Sequence, residues 1–121
     1  MIIDHIRDIK EFRNLYDNRP MPCQYDFDFL VKNPHLYCFY DEDEGFLKGF
    51  ITIQKEDDVL TLSGIALPKQ MADVVTAIIT VCKAFNEDIY SITPLKHAGL
   101  VLRKAGFKKI SDKKYVRYKN G

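Results

Sequence analysis

What this chain lacks narrows its function before any motif is read. Its 18 basic and 17 acidic residues leave a net charge of +1, so no field of one sign draws the whole molecule to nucleic acid or to an anionic membrane. No apolar run approaches the length of a membrane span. The three cysteines, Cys23, Cys38 and Cys82, are odd in number and form no CxxC pair. That argues against a disulfide framework or a zinc site and favours a reducing compartment. His5 and His35 share no ligand spacing with any cysteine, so no metal is expected. The opening MIIDHIRDIKEF carries charges every few residues and has no secretory apolar stretch, so a cytoplasmic location is expected. No P-loop, nucleophile elbow or dinucleotide fingerprint occurs, and there are no repeats or linkers. Residues 1–121 are read as a single domain. At 46% apolar and 29% charged, it is large enough to bury a core without staples.

What is present is organised around residues 60–85. An apolar run at 60–67 stops at Pro68, after which Met71, Val74, Val75, Ile78, Val81, Cys82 and Phe85 repeat at helical spacing. That pattern predicts a buried strand entering an amphipathic helix through a very short turn. Such a turn aims free backbone N–H groups at one point, an arrangement suited to an anion.

The remaining elements follow from periodicity and punctuation. Residues 1–5 predict an edge or second-from-edge strand. Asp8 and Glu11 resemble a capping box ahead of a helix carrying Ile9, Phe12, Leu15 and Tyr16. A second short helix is predicted over 25–32, stopped by Asn33-Pro34. Three strands are then predicted at 35–40, 46–54 and 59–67, joined by acidic turns as an antiparallel meander, with the middle one alternating between two faces. After the central helix comes a strand at 89–92, parallel to the one before that helix. Thr93-Pro94 reads as an N-cap followed by a first-turn proline, opening a helix over 95–105 with Gly106 as its left-handed terminator. A hairpin over 107–118 closes the chain. Its lysines, between Lys108 and Lys119, alternate with apolar residues and read as the wet face of that hairpin, so nucleic acid is not expected as a partner.

This order, with HAGLVLRKAGF at 97–107 and FLKGFI at 46–51, resembles the GNAT superfamily of N-acetyltransferases. In that family the last helix reads Asn, then Ala, then Tyr, followed by Lys-x-Gly-Phe. Ala98, Lys104, Gly106 and Phe107 match. The resemblance implies an α/β (α+β) fold with a mixed, mostly antiparallel sheet of six or seven strands and about four helices. It also implies fourth and fifth strands that splay apart around acetyl-CoA. Ile65, Ala66 and Leu67 would then hold the pantetheine arm, and Lys69, Gln70, Met71 and Ala72 the pyrophosphate. Two departures stand out. The family's glycine-bearing turn, Arg/Gln-x-x-Gly-x-Gly/Ala, is replaced by the shorter, glycine-free PKQMAD, with Asp73 in the first helical turn. The family's Tyr and Asn fall at Leu102 and Leu95.

The activity implied by the resemblance is acetyl-CoA-dependent acyl transfer to a small-molecule or protein amine. Its candidate residues are His97 as the titratable group at the start of the last helix, Ser63 (with Ser91) as a hydrogen-bond donor to thioester or water, and Tyr90 as a substitute acid. Each has a plainer alternative: an exposed helix residue, small polar strand residues, a packed strand tyrosine. The competing reading is a GNAT-like domain that has lost catalysis and serves as a binding or structural module. It would engage a protein partner or a second copy of itself, for example as a phage accessory or virion protein.

Overall fold

Leucine, valine and aromatic runs cut by acidic turns give the strands, and 3.6-residue apolar stripes give the helices. The computed structural model describes residues 2–19, 25–66 and 71–119. The elements, in order, are β1(Ile2–Asp4), α1(Ile9–Asp17), α2(Phe27–Lys32), β2(Leu36–Tyr40), β3(Leu47–Glu56), β4(Val59–Ala66), α3(Met71–Cys82), β5(Ile89–Ile92), α4(Lys96–Lys104), β6(Lys108–Lys109) and β7(Lys114–Arg117). The strands hydrogen-bond in the order β1-β2-β3-β4-β5-β7-β6, with β1 at an edge as expected. The β4–β5 pair is parallel, as the strand–helix–strand reading requires. The β1–β2, β2–β3, β5–β7 and β6–β7 pairs are antiparallel.

By contact density the chain forms two compact units, Met1–Thr52 with Gly64–Lys69 and Ile53–Ser63 with Gln70–Gly121. The first is built on an aromatic core in which Phe12, Leu30, Leu36, Cys38, Tyr40, Leu47 and Phe50 are buried. The Phe12 ring meets Phe50 edge-on at 5.0 Å and Phe27 at 5.7 Å, the spacing aromatic pairs prefer. Asp8 caps α1, its Oδ1 accepting from the Lys10 and Glu11 amides at 2.9 and 3.4 Å. The reciprocal half of the expected capping box is absent. Glu11 turns away and its Oε2 accepts the Leu47 amide at 2.8 Å, tying α1 to the start of β3. The second helix begins at Phe27 rather than at residue 25, because the Asp26 carboxylate takes the Phe29 amide at 2.8 Å and sets the first turn there. β3 departs from the expected alternation, since Leu47, Gly49, Phe50, Ile51, Thr52 and Ile53 are all buried. The Thr52 hydroxyl, fully buried, is satisfied by Asn33 Nδ2 at 2.7 Å. The β3–β4 turn carries Asp57 and Asp58 at φ 51° and 64°, the paired left-handed conformation of a tight hairpin.

In the second unit, α3 buries Val74, Ala77, Ile78, Val81 and Cys82, and α4 buries Val101 and Leu102. The central helix ends at Cys82, and Phe85 lies past it in a turn closed by its amide on the Cys82 carbonyl at 3.1 Å. The last helix starts later than Thr93-Pro94 suggests. The Thr93 amide is held by the Lys113 carbonyl at 2.8 Å, which keeps that residue extended beside the sheet, and its hydroxyl accepts the Leu95 amide at 3.2 Å. Leu95 thus takes the cap position with no side-chain acceptor of its own. At the far end the expectation holds: Gly106 sits at φ 97°, its amide on Arg103 O and that of Phe107 on Leu102 O, the paired bonds of a Schellman terminator.

Candidate functional site

The site candidate grows from the strand–helix–strand segment β4–α3–β5, of which Gly64–Lys69 belong to the first unit and the rest to the second. The β4–β5 register is short, pairing Leu60 with Ile89 and Thr61 with Tyr90, while β4 continues as strand through Ala66. Where the ladder ends, a side chain takes over: the Ser91 hydroxyl donates to the Leu62 carbonyl at 2.9 Å. Ser91 is buried, so its Oγ–H is committed to β4 rather than offered to a thioester or a water. The register places Tyr90 beside Thr61, and the two-residue period of a strand brings Ser63 to the same face. Both are half-buried. Ile89 and Ser91 point the other way.

The opposing face is closed by α4. Tyr115, opposite Ser91 on β7, is buried and places its hydroxyl directly against Gly99, where an added Cβ would collide with it. Leu102, which the resemblance aligned with a tyrosine, is 5% exposed and forms core. It has no proton to give. His97 occupies the first turn of α4 with its side chain exposed. No hydrogen bond among the described residues joins it to Ser63 or Tyr90. Of the three candidate catalytic residues, two therefore share a sheet face and the third stands apart. Sequence gave no signal for Tyr115, because its approach to Gly99 depends on the hairpin folding back beside β5.

The segment aligned with cofactor binding is partly described. Ile65 and Ala66 continue β4, Met71 opens α3, and Ala72 is exposed in its first turn together with a half-buried Asp73. Leu67, Lys69 and Gln70 lie outside the described residues. Within the second unit the backbone fits an extended, amide-bearing ligand in one respect, since β4 outruns its parallel ladder at Leu62 and Ser63. It fits a diphosphate less well, because the first turn of α3 already carries the Asp73 carboxylate against the positive end of the helix dipole.

Neither described thiol is a nucleophile. Burial pushes Cys38 up to about 12 and Cys82 up to about 11, so both are neutral small hydrophobes. Among the described residues no cluster of His, Cys, Asp and Glu has the makings of a metal site. No described helix is long and apolar enough to cross a membrane. A cavity of about 600 Å³ belongs to the first unit, lined by His5, Arg7, Ile9, Val31, Lys32 and Pro34, and includes none of the candidate residues.

No family model matches this sequence, and no curated protein does. Among solved structures, the chain is similar to an acetyltransferase of the GNAT family from Bacillus anthracis, with a TM-score of 0.57 at 12% identity, covering 72% of this chain and 68% of that one. The fold is GNAT-like: the described residues form a seven-stranded mixed, mostly antiparallel sheet with four helices.

Proposed function

We propose that the protein is an acetyl-CoA-dependent N-acyltransferase acting on a small-molecule or protein amine. The observation that carries this reading is a β4–β5 ladder of two residue pairs within a GNAT-like fold, with the Ser91 hydroxyl bridging to Leu62 where the ladder stops. The backbone of Ile65, Ala66 and Leu67 takes the amides of the pantetheine arm. Lys69, Gln70, Met71 and Ala72 take the pyrophosphate at the entrance of α3. Acetyl-CoA supplies an activated acyl group; the chain's own residues orient the amine and handle protons. Ser63 donates a hydrogen bond to the acyl oxygen or to a bridging water. Tyr90, on the same face, holds the proton that the departing sulfur needs. His97 takes the proton that the attacking amine loses, through solvent, given its exposed position.

A second reading, a GNAT-like module without catalysis, is favoured by a specific observation: the residue aligned with the family's tyrosine, Leu102, is packed into the core. Calorimetry and thermal shift with acetyl-CoA separate the two. A ligand at 100 times its dissociation constant stabilises the folded state by about 2.7 kcal/mol, so the enzyme reading requires a clear rise in melting temperature. Absence of heat and of any shift at millimolar acetyl-CoA leaves the module. Thiol release with a panel of primary amines, lost in Tyr90→Phe, secures the enzyme.

A further inference from the structure

The near-zero net charge conceals a strong internal asymmetry. Residues 96–119 carry nine Lys and Arg against the single Asp112, whereas the rest of the chain carries nine against sixteen Asp and Glu. These nine cations belong to α4, β6, β7 and the residues beside them, all in the second unit. The ion pairs among the described residues use Arg7, Arg13, Lys48 and Lys55, and none uses a cation from 96–119. Two of those cations instead sit over tyrosine rings, Lys114 Nζ 5.1 Å from the Tyr90 centroid and Lys108 Nζ 5.9 Å from that of Tyr118.

The strand register arranges this chemistry on one surface. Tyr90 is opposite Val116, Val116 is opposite Lys108, and Ile92 is opposite Lys114. With the two-residue period, one face of β5–β7–β6 therefore carries Tyr90, Ile92, Lys108, Lys114 and, just beyond β7, Tyr118, arranged around a buried Val116. Ile92 is 67% exposed and Tyr118 44%. Ammonium groups outside any ion pair, beside an accessible aromatic ring on a sheet face, are the elements by which proteins hold unpaired bases and their phosphates.

We infer that this face binds single-stranded nucleic acid, with Lys108 and Lys114 on the phosphates and Tyr118 stacking a base. A duplex matches the charge but hides its base faces. An acidic peptide matches the charge but gives Tyr118 little to stack on. Tyr90 is shared with the acyl-transfer reading, but the inference stands on Lys108, Lys114 and Tyr118, none of which enters it, so each reading can fail without the other.

The test is fluorescence anisotropy of the full chain with a labelled 12-nucleotide oligo(dT), and with a 12-base-pair duplex for comparison. Engagement of two phosphates, one by each lysine, makes affinity fall roughly 7-fold between 50 and 200 mM salt. Lys108→Glu with Lys114→Glu abolishes binding. Tyr118→Ala weakens it at least about 5-fold, and Tyr118→Phe retains it, because stacking needs the ring and not the hydroxyl. Lys10→Glu, on exposed α1, changes little. No binding at 50 mM salt overturns the inference. So does equal affinity for the duplex with Tyr118→Ala unaffected, which marks a generic polyanion or acidic-protein surface, and so does a Lys10→Glu loss equal to that of the lysine pair. Thermal melts of each variant separate lost contacts from lost folding.

Discussion

Gly99 is set by its neighbour rather than by its own backbone. It lies within α4, where glycine costs roughly 1 kcal/mol relative to alanine on propensity alone. Alanine there would nonetheless place its Cβ against the hydroxyl of Tyr115, a residue only 6% exposed. Gly99→Ala is therefore expected to destabilise by about 1–3 kcal/mol, the usual cost of overpacking. Tyr115→Phe should relieve part of that loss. A double-mutant cycle by urea denaturation measures the coupling, and additivity within about 0.5 kcal/mol would mean the two do not touch in solution. The thiols make a second residue-scale prediction. Cys38 and Cys82 are raised by burial, to about 12 and about 11. In the unfolded chain they ionise near 8.5, so above that pH the unfolded state has lost protons that the folded state keeps, and folding stability declines as pH rises. The melting temperature should fall between pH 9 and 11, and Cys38→Ala should flatten that alkaline slope. Alkylation at pH 8 should leave Cys38 and Cys82 unmodified until urea unfolds the protein.

Elements in this chain are positioned by side chains that reach across to other elements, and these reaches are what local pattern does not reveal. The apolar spacing of Ile9, Phe12, Leu15 and Tyr16 announces α1, and Asp8 announces its start. Nothing in Asp-x-x-Glu says that Glu11 will leave its own helix for the Leu47 amide. Glu11→Ala strands that N–H beside a residue only 8% exposed, so a loss of about 1–3 kcal/mol is expected. Glu11→Gln keeps an acceptor oxygen and should recover most of it, as thermal or urea unfolding will show. Thr93 makes the same point at α4: Thr-Pro is a sound start signal, overruled by the bond its amide donates to the Lys113 carbonyl, which exists only once the hairpin has folded back. Gly106 was legible because its role is local, a left-handed residue ending a helix. β3 lost its predicted alternation because a strand buried on both faces has no solvent side to mark.

For the molecule as a whole, the order of elements was readable, because turns and periods are local and a GNAT-like succession follows from them. The chemistry was less so. Ser63 and Tyr90 share a face through a register that sequence does not state, and Ser91 is committed to Leu62 by a contact 29 positions away. Whether the helix entrance receives a diphosphate turns on Asp73, since a carboxylate in the first turn of α3 stabilises the unliganded helix and opposes an anion there. Asp73→Asn should therefore act in two directions at once. Without ligand it should lower stability by about 0.3–1 kcal/mol, the usual size of a helix-dipole interaction. With acetyl-CoA it should tighten binding by a comparable amount, roughly 2- to 5-fold. A plain structural role for Asp73 yields only the first effect. Calorimetry on both proteins, alongside melts without ligand, distinguishes them. An unchanged dissociation constant places the pyrophosphate elsewhere, whereas tighter binding by a less stable protein makes the entrance of α3 the anion site.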